Sequence, residues 1–269
     1  MADDLEALRN RAVTGDARAL GVLCEQLQRP VFRLALRMLG DPRDAEDAAQ
    51  DILVRVATHL GSFEGRSRLE TWVHTIAVRH LLACRKSRAE ARAREEEGFA
   101  EWLRQGLAFG GGVSAPEDRV LIREIRMGCT QGMLLVLSRE ERLALVLVDL
   151  IGFDGAEAAT VAGVTSATLR KRLSRARARL GTFLQTHCGI VNPDAACSCA
   201  RQVPAKRALG LSHDRLRFAP LAAADAGRAL HEMRDVAALR ALYVRDRIRE
   251  PPATLMTRLR HALPTLLEG

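Results

Sequence analysis

Aromatic residues are scarce in this chain. They make up 4% of 269 residues, with one tyrosine and two tryptophans. Leu, Ala and Arg dominate instead, a mixture that favours helices over strands. The expected fold class is therefore all-α. Long apolar runs are missing too. None reaches the length needed to span a bilayer, and the N-terminus MADDLEALRN is acidic with no apolar signal core. The expectation is a cytoplasmic protein with no membrane partner. A Gly-rich phosphate loop, an HExxH pair and an Asp/Glu/His constellation are all absent, so no enzymatic activity on nucleic acid is expected. The six cysteines of such a chain are expected to be reduced thiols or metal ligands and not a disulfide framework.

What the chain does have is positive charge, unevenly spread. The formal net charge is +8 and the pI about 9.8, which points to a polyanionic partner. Residues 1–60 carry eight Lys/Arg and ten Asp/Glu, whereas residues 200–269 carry thirteen and seven. An acidic front and basic later segments suggest more than one kind of partner. The charge is densest in Thr165–Leu180, TSATLRKRLSRARARL. There Leu169, Leu173, Ala176 and Leu180 share one helical stripe. Arg170, Lys171, Arg172, Arg175, Arg177 and Arg179 cover the rest, with no acid among them. A merely solvated helix usually interleaves both signs. This one repels itself, and a phosphate backbone is its natural complement.

Along the chain, residues 1–39 read as one or two helices, and Gly40-Asp41-Pro42 punctuates. Asp44–Leu60 is a regular helix whose first turns carry Asp44, Glu46, Asp47 and Asp51. Capping explains some of these acids. The surplus suits a basic protein partner. The loop GSFEGRSR (61–68) leads into a helix from Leu69 to Arg88, with Trp72 inside and a basic end. ARAREEEGFAEW and GLAFGGGVSAPED read as a linker between domains. Ser138 and Glu141 form a capping box. Gly152 ends the apolar helix that follows. Asp154 caps a short helix, Gly163 supplies a turn, and Thr165 or Ser166 caps the basic helix. That order is a helix-turn-helix.

These residues resemble a known pair of modules. DAEDAAQDILVRVATHL, FEGRSR and LETWVHTIAVRHLL look like region 2 of sigma-70 initiation factors. Leu137–Leu180 looks like region 4. The absence of a large intervening domain resembles the extracytoplasmic-function (ECF) subgroup. The resemblance implies two helical domains joined by a flexible linker, plus a helical C-terminal extension. Residues 1–90 would be region 2, 91–116 the linker, 117–186 region 4, 187–203 a Cys-containing segment and 204–269 the extension. The protein would be a non-enzymatic initiation factor that binds core RNA polymerase, recognises −35 and −10 elements and helps melt DNA. It would meet the polymerase β′ clamp and β flap. Asp44, Glu46, Asp47, Gln50 and Asp51 would dock polymerase. Phe63, Arg66, Ser67, Thr71, His74, Arg79, His80 and Arg85 would hold the melted −10 element, with the loop around Phe63 capturing a flipped base. Thr165, Ser166, Arg170, Lys171, Arg172 and Arg175 would contact the −35 element, an Arg there bonding guanine in bidentate fashion. Of the basic residues, Arg172, Arg177 and Arg179 would touch phosphates or simply solvate. The acidic Glu95, Glu96 and Glu97 resemble linkers that mimic nucleic acid near the polymerase active centre. His80 stands where Asn is common, Lys171 where Ser is frequent and His74 where Tyr is common. These departures bear on promoter sequence.

The pattern does not cover the tail. His187, Cys188, Cys197 and Cys199 lie within thirteen residues, around an Asn192-Pro193-Asp194 turn. Such soft ligands suit tetrahedral zinc, although the spacing is not that of a standard finger. Structural thiols and a Cys197/Cys199 redox pair are the other readings. No cofactor is otherwise required. Leu230, Met233, Val236, Ala237 and Leu242, then Leu255, Leu259, Ala262 and Leu266, suggest two amphipathic helices. They need a partner surface, and the protein's own domains are the expected one. The extension would then act as a built-in regulator, in place of or beside a separate anti-sigma factor. The other reading of the whole chain is a free-standing helix-turn-helix regulator with a metal- or redox-sensing tail. It leaves the acidic helix and the loop-helix at 61–88 without a use.

Overall fold

The computed structural model describes residues 2–85, 90, 96–110, 118–208 and 251–267. Among them the structure is helical, with one isolated bridge between Cys188 and Cys197. The chain forms two compact units. One comprises Met1–Ser87, Asp154–Leu169 and Pro251–Gly269, the other Arg88–Phe153 and Arg170–Glu250.

The first unit opens with α1 (Ala2–Val13), α2 (Ala17–Leu39), α3 (Pro42–His59) and α4 (Leu69–Ala83). Local signals place the boundaries. Asp16 caps α2 by accepting from the Ala19 amide at 2.9 Å. Gly40 ends it in the left-handed region, φ 75°, where a glycine is least strained. Asp41 then caps α3, accepting from Arg43 N and Asp44 N, and Pro42 takes the first helical position. The cap is thus Asp41 and none of the acids further along α3. Leu23, Phe32, Ile52, Leu53, Leu69 and Leu81 are fully buried where α2, α3 and α4 meet. Each contributes on the order of 1.5–3 kcal/mol. The same unit contains α8 (Gly155–Ala162), packed on α4, and α11 (Thr254–Ala262) with α12 (Pro264–Leu267), packed on α2 and α3.

The second unit contains α5 (Glu96–Leu107), α6 (Asp118–Val136), α7 (Arg139–Leu145), most of α9 (Ser166–His187) and α10 (Val203–Ala208). The Ser138/Glu141 capping box forms as expected, both bonds at 3.2 Å. One wider turn, Val146–Ile151, continues α7 to Gly152, which stops it at φ 95°. The apolar faces of α6 and α7 are buried along Met133, Leu134, Leu143 and Val146, and Phe183 and Leu184 of α9 are buried too. α5 falls within the span read as linker. It is helical because Phe99, Ala100 and Leu103 give it a face to bury, at i, i+1 and i+4. Of the acidic run there, Glu95 lies outside the described residues. The same is true of Leu230, Met233, Val236, Ala237 and Leu242, read as a tail helix. Lys206 pairs with Glu124 and Arg207 with Asp118, tying α10 to α6.

Phe99 presses on Gly132, where an added Cβ would lie 2.5 Å from the ring. The ring cannot easily swing aside, since Trp102 and Phe183 flank it at 5.7 and 5.6 Å. Alanine normally gains about 1 kcal/mol over glycine inside a helix. Here overpacking, at about 1–3 kcal/mol, outweighs that gain. Gly132→Ala is therefore expected to lower the urea midpoint. A raised midpoint would show that the ring yields.

Candidate nucleic-acid and polymerase interface

Gly163, at φ 64°, turns the chain from α8 into α9. Thr165 Oγ1 accepts from the Thr168 amide at 3.2 Å, which satisfies one of the free amides at the start of α9. The expected stripe is buried: Leu169, Leu173, Ala176 and Leu180 are all at most 9% exposed. The cations divide along the helix. Arg177 makes a bidentate pair with Asp149, at 3.0 and 2.6 Å, and this contact raises its pKa. Arg179 bonds Glu141 at 3.0 Å. These two are tied to the protein itself, so the expectation that they contact phosphate or simply solvate does not describe them. Arg170, Lys171 and Arg175 are exposed, Arg172 is half-buried, and none has an ion-pair partner among the described residues. Thr165 and Ser166 are exposed beside them. The uncompensated charge thus sits in the N-terminal half of α9.

The second basic region is the loop before α4 and the helix itself. Phe63 is buried at 4% exposure, with the Arg9 guanidinium 5.2 Å above its ring and Trp72 at 5.5 Å. Arg9 also donates to the Phe63 carbonyl at 2.6 Å. Phe63 therefore braces the loop from within. Its ring is not presented for a base, contrary to the sequence expectation. Arg66 and Ser67 are exposed at the loop tip, Arg66 paired with Glu64. Thr71 donates to Glu157 Oε1 at 2.6 Å, and Arg68 to the same oxygen at 2.7 Å. A carboxylate of α8 thus occupies two groups of the α4 entrance. Glu157 was not singled out by sequence reasoning, because nothing local joins it to Thr71.

His74 and His80 are both buried. Burial is the main cause that lowers both pKa values, and Arg55 lowers that of His80 further. His74 Nδ1 lies 2.6 Å from the Glu70 carbonyl, and His80 Nε2 lies 3.7 Å from Asp51. Both rings are neutral at pH 7, so the positive charge of this face comes from Arg79 and Arg85, which are exposed.

The acidic face lies on α3. Asp44, Asp47 and Asp51 are exposed, and Glu46 and Gln50 are half-buried. Gln50 Oε1 is buried without a hydrogen-bond partner among the described residues. Thr254 donates to Glu46 Oε1 at 2.9 Å, and Arg258 reaches Glu46 at 3.3 Å and Asp47 at 2.7 Å. The tail helix therefore packs on the chain's own α2 and α3, as the sequence suggested for its apolar face. Leu255 and Leu259 are fully buried there, whereas Ala262 and Leu266 are exposed.

The cysteine segment closes on itself through the Gly189 amide, which donates to the Cys197 carbonyl at 2.8 Å. Cys188, Cys197 and Cys199 line one small cavity with Cys129, a residue of α6 that sequence spacing did not bring into the group. All are free thiols. Burial pushes Cys197 and Cys199 up and Cys129 well up, so they are protonated. His187 lies ring to ring with Phe183, at 4.7 Å. Among the described residues no group of three or more His, Cys, Asp or Glu is arranged to hold a metal ion. Of the readings offered for His187, Cys188, Cys197 and Cys199, the zinc site is therefore not supported by the described residues. No described helix is long and apolar enough to cross a membrane.

Residues 23–90 match the family description "Sigma-70 region 2" and residues 127–180 match "Sigma-70, region 4". The chain is similar to the RNA polymerase sigma-H factor of Pseudomonas aeruginosa, with 29% identity over 67% of this chain and 93% of the relative. It is 32% identical to the ECF RNA polymerase sigma factor SigC of Mycobacterium tuberculosis, over 64% of this chain and 86% of the relative. A solved structure of CnrH in complex with the cytosolic domain of CnrY aligns at a TM-score of 0.47 with 24% identity, covering 69% of this chain and 98% of that one. Two region matches in order, and relatives covered over most of their length, place it: this chain belongs to the extracytoplasmic-function group of sigma-70 initiation factors.

Proposed function

We propose a division of work within this sigma factor. Residues 1–90 serve as region 2, 91–116 as linker and 117–186 as region 4, followed by the cysteine segment 187–203 and the extension 204–269. The acidic start of α3, with Asp44, Glu46, Asp47, Gln50 and Asp51, docks core RNA polymerase. The N-terminal half of α9 enters the major groove at the −35 element, with Arg170 and Lys171 reading base edges. Thr165, Ser166, Arg172 and Arg175 hold phosphates or flanking bases. Arg66, Ser67, Arg79 and Arg85 hold the −10 strand as it separates, while Phe63, Thr71, His74 and His80, all buried, support that surface from inside instead of contacting the strand as the sequence suggested. The protein works in the cytoplasm and makes or breaks no bond itself. A resident zinc ion has no part in this reading.

The observation that carries it is the segregation of cations along α9. Arg177 and Arg179 are neutralised by Asp149 and Glu141, and the open charge is confined to the end that follows the turn. A helix held for solubility alone has no reason for that order. The acidic α3 favours a polymerase-bound factor over a free-standing regulator, which has no use for it. Mixing the full chain with core polymerase should give an equimolar complex on a sizing column. On promoter DNA that complex should make −10 thymines reactive to permanganate, while core polymerase alone does not. A complex that leaves every template duplex intact would contradict the melting role.

A further inference from the structure

Two residues of the acidic face assigned to polymerase, Glu46 and Asp47, already pair with the chain's own C-terminal helix. In α11, Leu255 and Leu259 are completely buried and Met256 is 8% exposed, so one side of a short helix is fully committed. The cations beside that stripe meet carboxylates. The Arg258 guanidinium bridges Glu46 and Asp47, neighbours on α3, at 3.3 and 2.7 Å. Arg260 bonds Glu25 of α2 at 3.1 Å, and the Thr254 hydroxyl bonds Glu46 at 2.9 Å. Leu263, 8% exposed, extends the contact, and α12 packs on α2. Asp41 performs the capping of α3, which leaves Glu46 and Asp47 with no local duty.

We propose that the basic amphipathic helix Thr254–Ala262 is an intramolecular competitor for core RNA polymerase, and that it must leave α2 and α3 before polymerase docks there. The proposal rests on the reading that Glu46 and Asp47 bind polymerase. Its physical basis is a division between anchor and register. Exposed ion pairs such as Arg258–Asp47 are individually weak, and they set orientation. The leucines supply the burial that holds the helix down. A tethered competitor also acts at high effective concentration, so modest intrinsic affinity suffices. If the helix is bound in about nine molecules of ten, the apparent affinity for polymerase falls about tenfold, in proportion to the competent fraction. The conflict is one of space: while α11 is seated on α2 and α3, its backbone and leucines cover the groove beside Glu46 and Asp47 that a docking polymerase helix would need.

The test measures the dissociation constant of the full chain for core polymerase in four forms. The natural chain is compared with Arg258→Glu/Arg260→Glu, which reverses exposed charges and leaves the leucine anchors in place. A second release variant, Leu255→Glu/Leu259→Glu, removes the anchors, and its α-helical circular dichroism checks that the rest stays folded. Asp47→Arg is then placed in the Leu255→Glu/Leu259→Glu background, where the helix lacks its anchors and Arg258 faces a like charge. Both release variants are expected to bind polymerase about tenfold tighter than the natural chain. Unchanged or weaker binding by both, with Asp47→Arg still weakening it, would overturn the competitor and leave the polymerase face standing. Binding that Asp47→Arg does not alter would overturn the polymerase face and the competitor with it.

Discussion

Replacing Glu90 with alanine is expected to cost about 3–5 kcal/mol of stability, the largest effect of any single change considered. Glu90 is 4% exposed and holds two arginines at once. Arg139 reaches it at 2.8 and 2.5 Å, and Arg142, itself 2% exposed, at 2.9 Å. Arg142 also donates to the carbonyls of Leu134 and Leu137, at 2.8 and 3.1 Å, where α6 ends before α7. Burial lowers the Arg142 pKa and the Glu90 charge opposes that shift. Without Glu90, a buried guanidinium keeps its desolvation cost and loses its counter-charge. For a urea slope of about 2 kcal/mol per M, the midpoint falls by about 2 M. Arg142→Met alone should cost a similar amount, since it takes from the buried Glu90 one of the two arginines described on it. The pair Glu90→Leu/Arg142→Met should be clearly less damaging than the two singles added, because it leaves no buried charge between them. Full additivity would mean that the two residues do not act as a unit.

The second large effect concerns promoter binding. Arg170→Ala and Lys171→Ala, tested in the holoenzyme, should each lose about 1–3 kcal/mol at one −35 position, roughly ten- to hundredfold in affinity. The loss should vanish on a template already changed at that position. Arg172→Ala and Arg175→Ala should weaken all templates alike. Each phosphate contact removed should lower the salt slope by about 0.9. Arg177→Ala should do neither, because its guanidinium is spent on Asp149. Losses of equal size along the whole helix would reject the divided cations as the basis of recognition.

Much of this was legible in the sequence because the signals were local. The Ser138/Glu141 box, the Gly40, Gly152 and Gly163 stops, and the Leu169–Leu180 stripe all formed where spacing put them. Each involves residues within a few positions of one another. The misses are long-range. Glu90 sits 49 and 52 positions from Arg139 and Arg142, in a run of charges that gives no sign of burial. Cys129 joins the other thiols only through tertiary packing. Phe63 looked available for a base because no local feature shows Arg9, 54 positions away, closing over it. The partner of α11 was foreseen as the protein itself, but its seat on Glu46 and Asp47 follows from contacts over 208 and 211 positions.

Run-off transcription tests the central claim most directly. Purified core RNA polymerase is given the full chain and templates taken from the chain's own genome. The account predicts a discrete, chain-dependent transcript from a promoter with paired −35 and −10 elements, lost when Arg170 and Lys171 are both alanine. A chain that binds polymerase yet starts no specific transcript on any such template would contradict it.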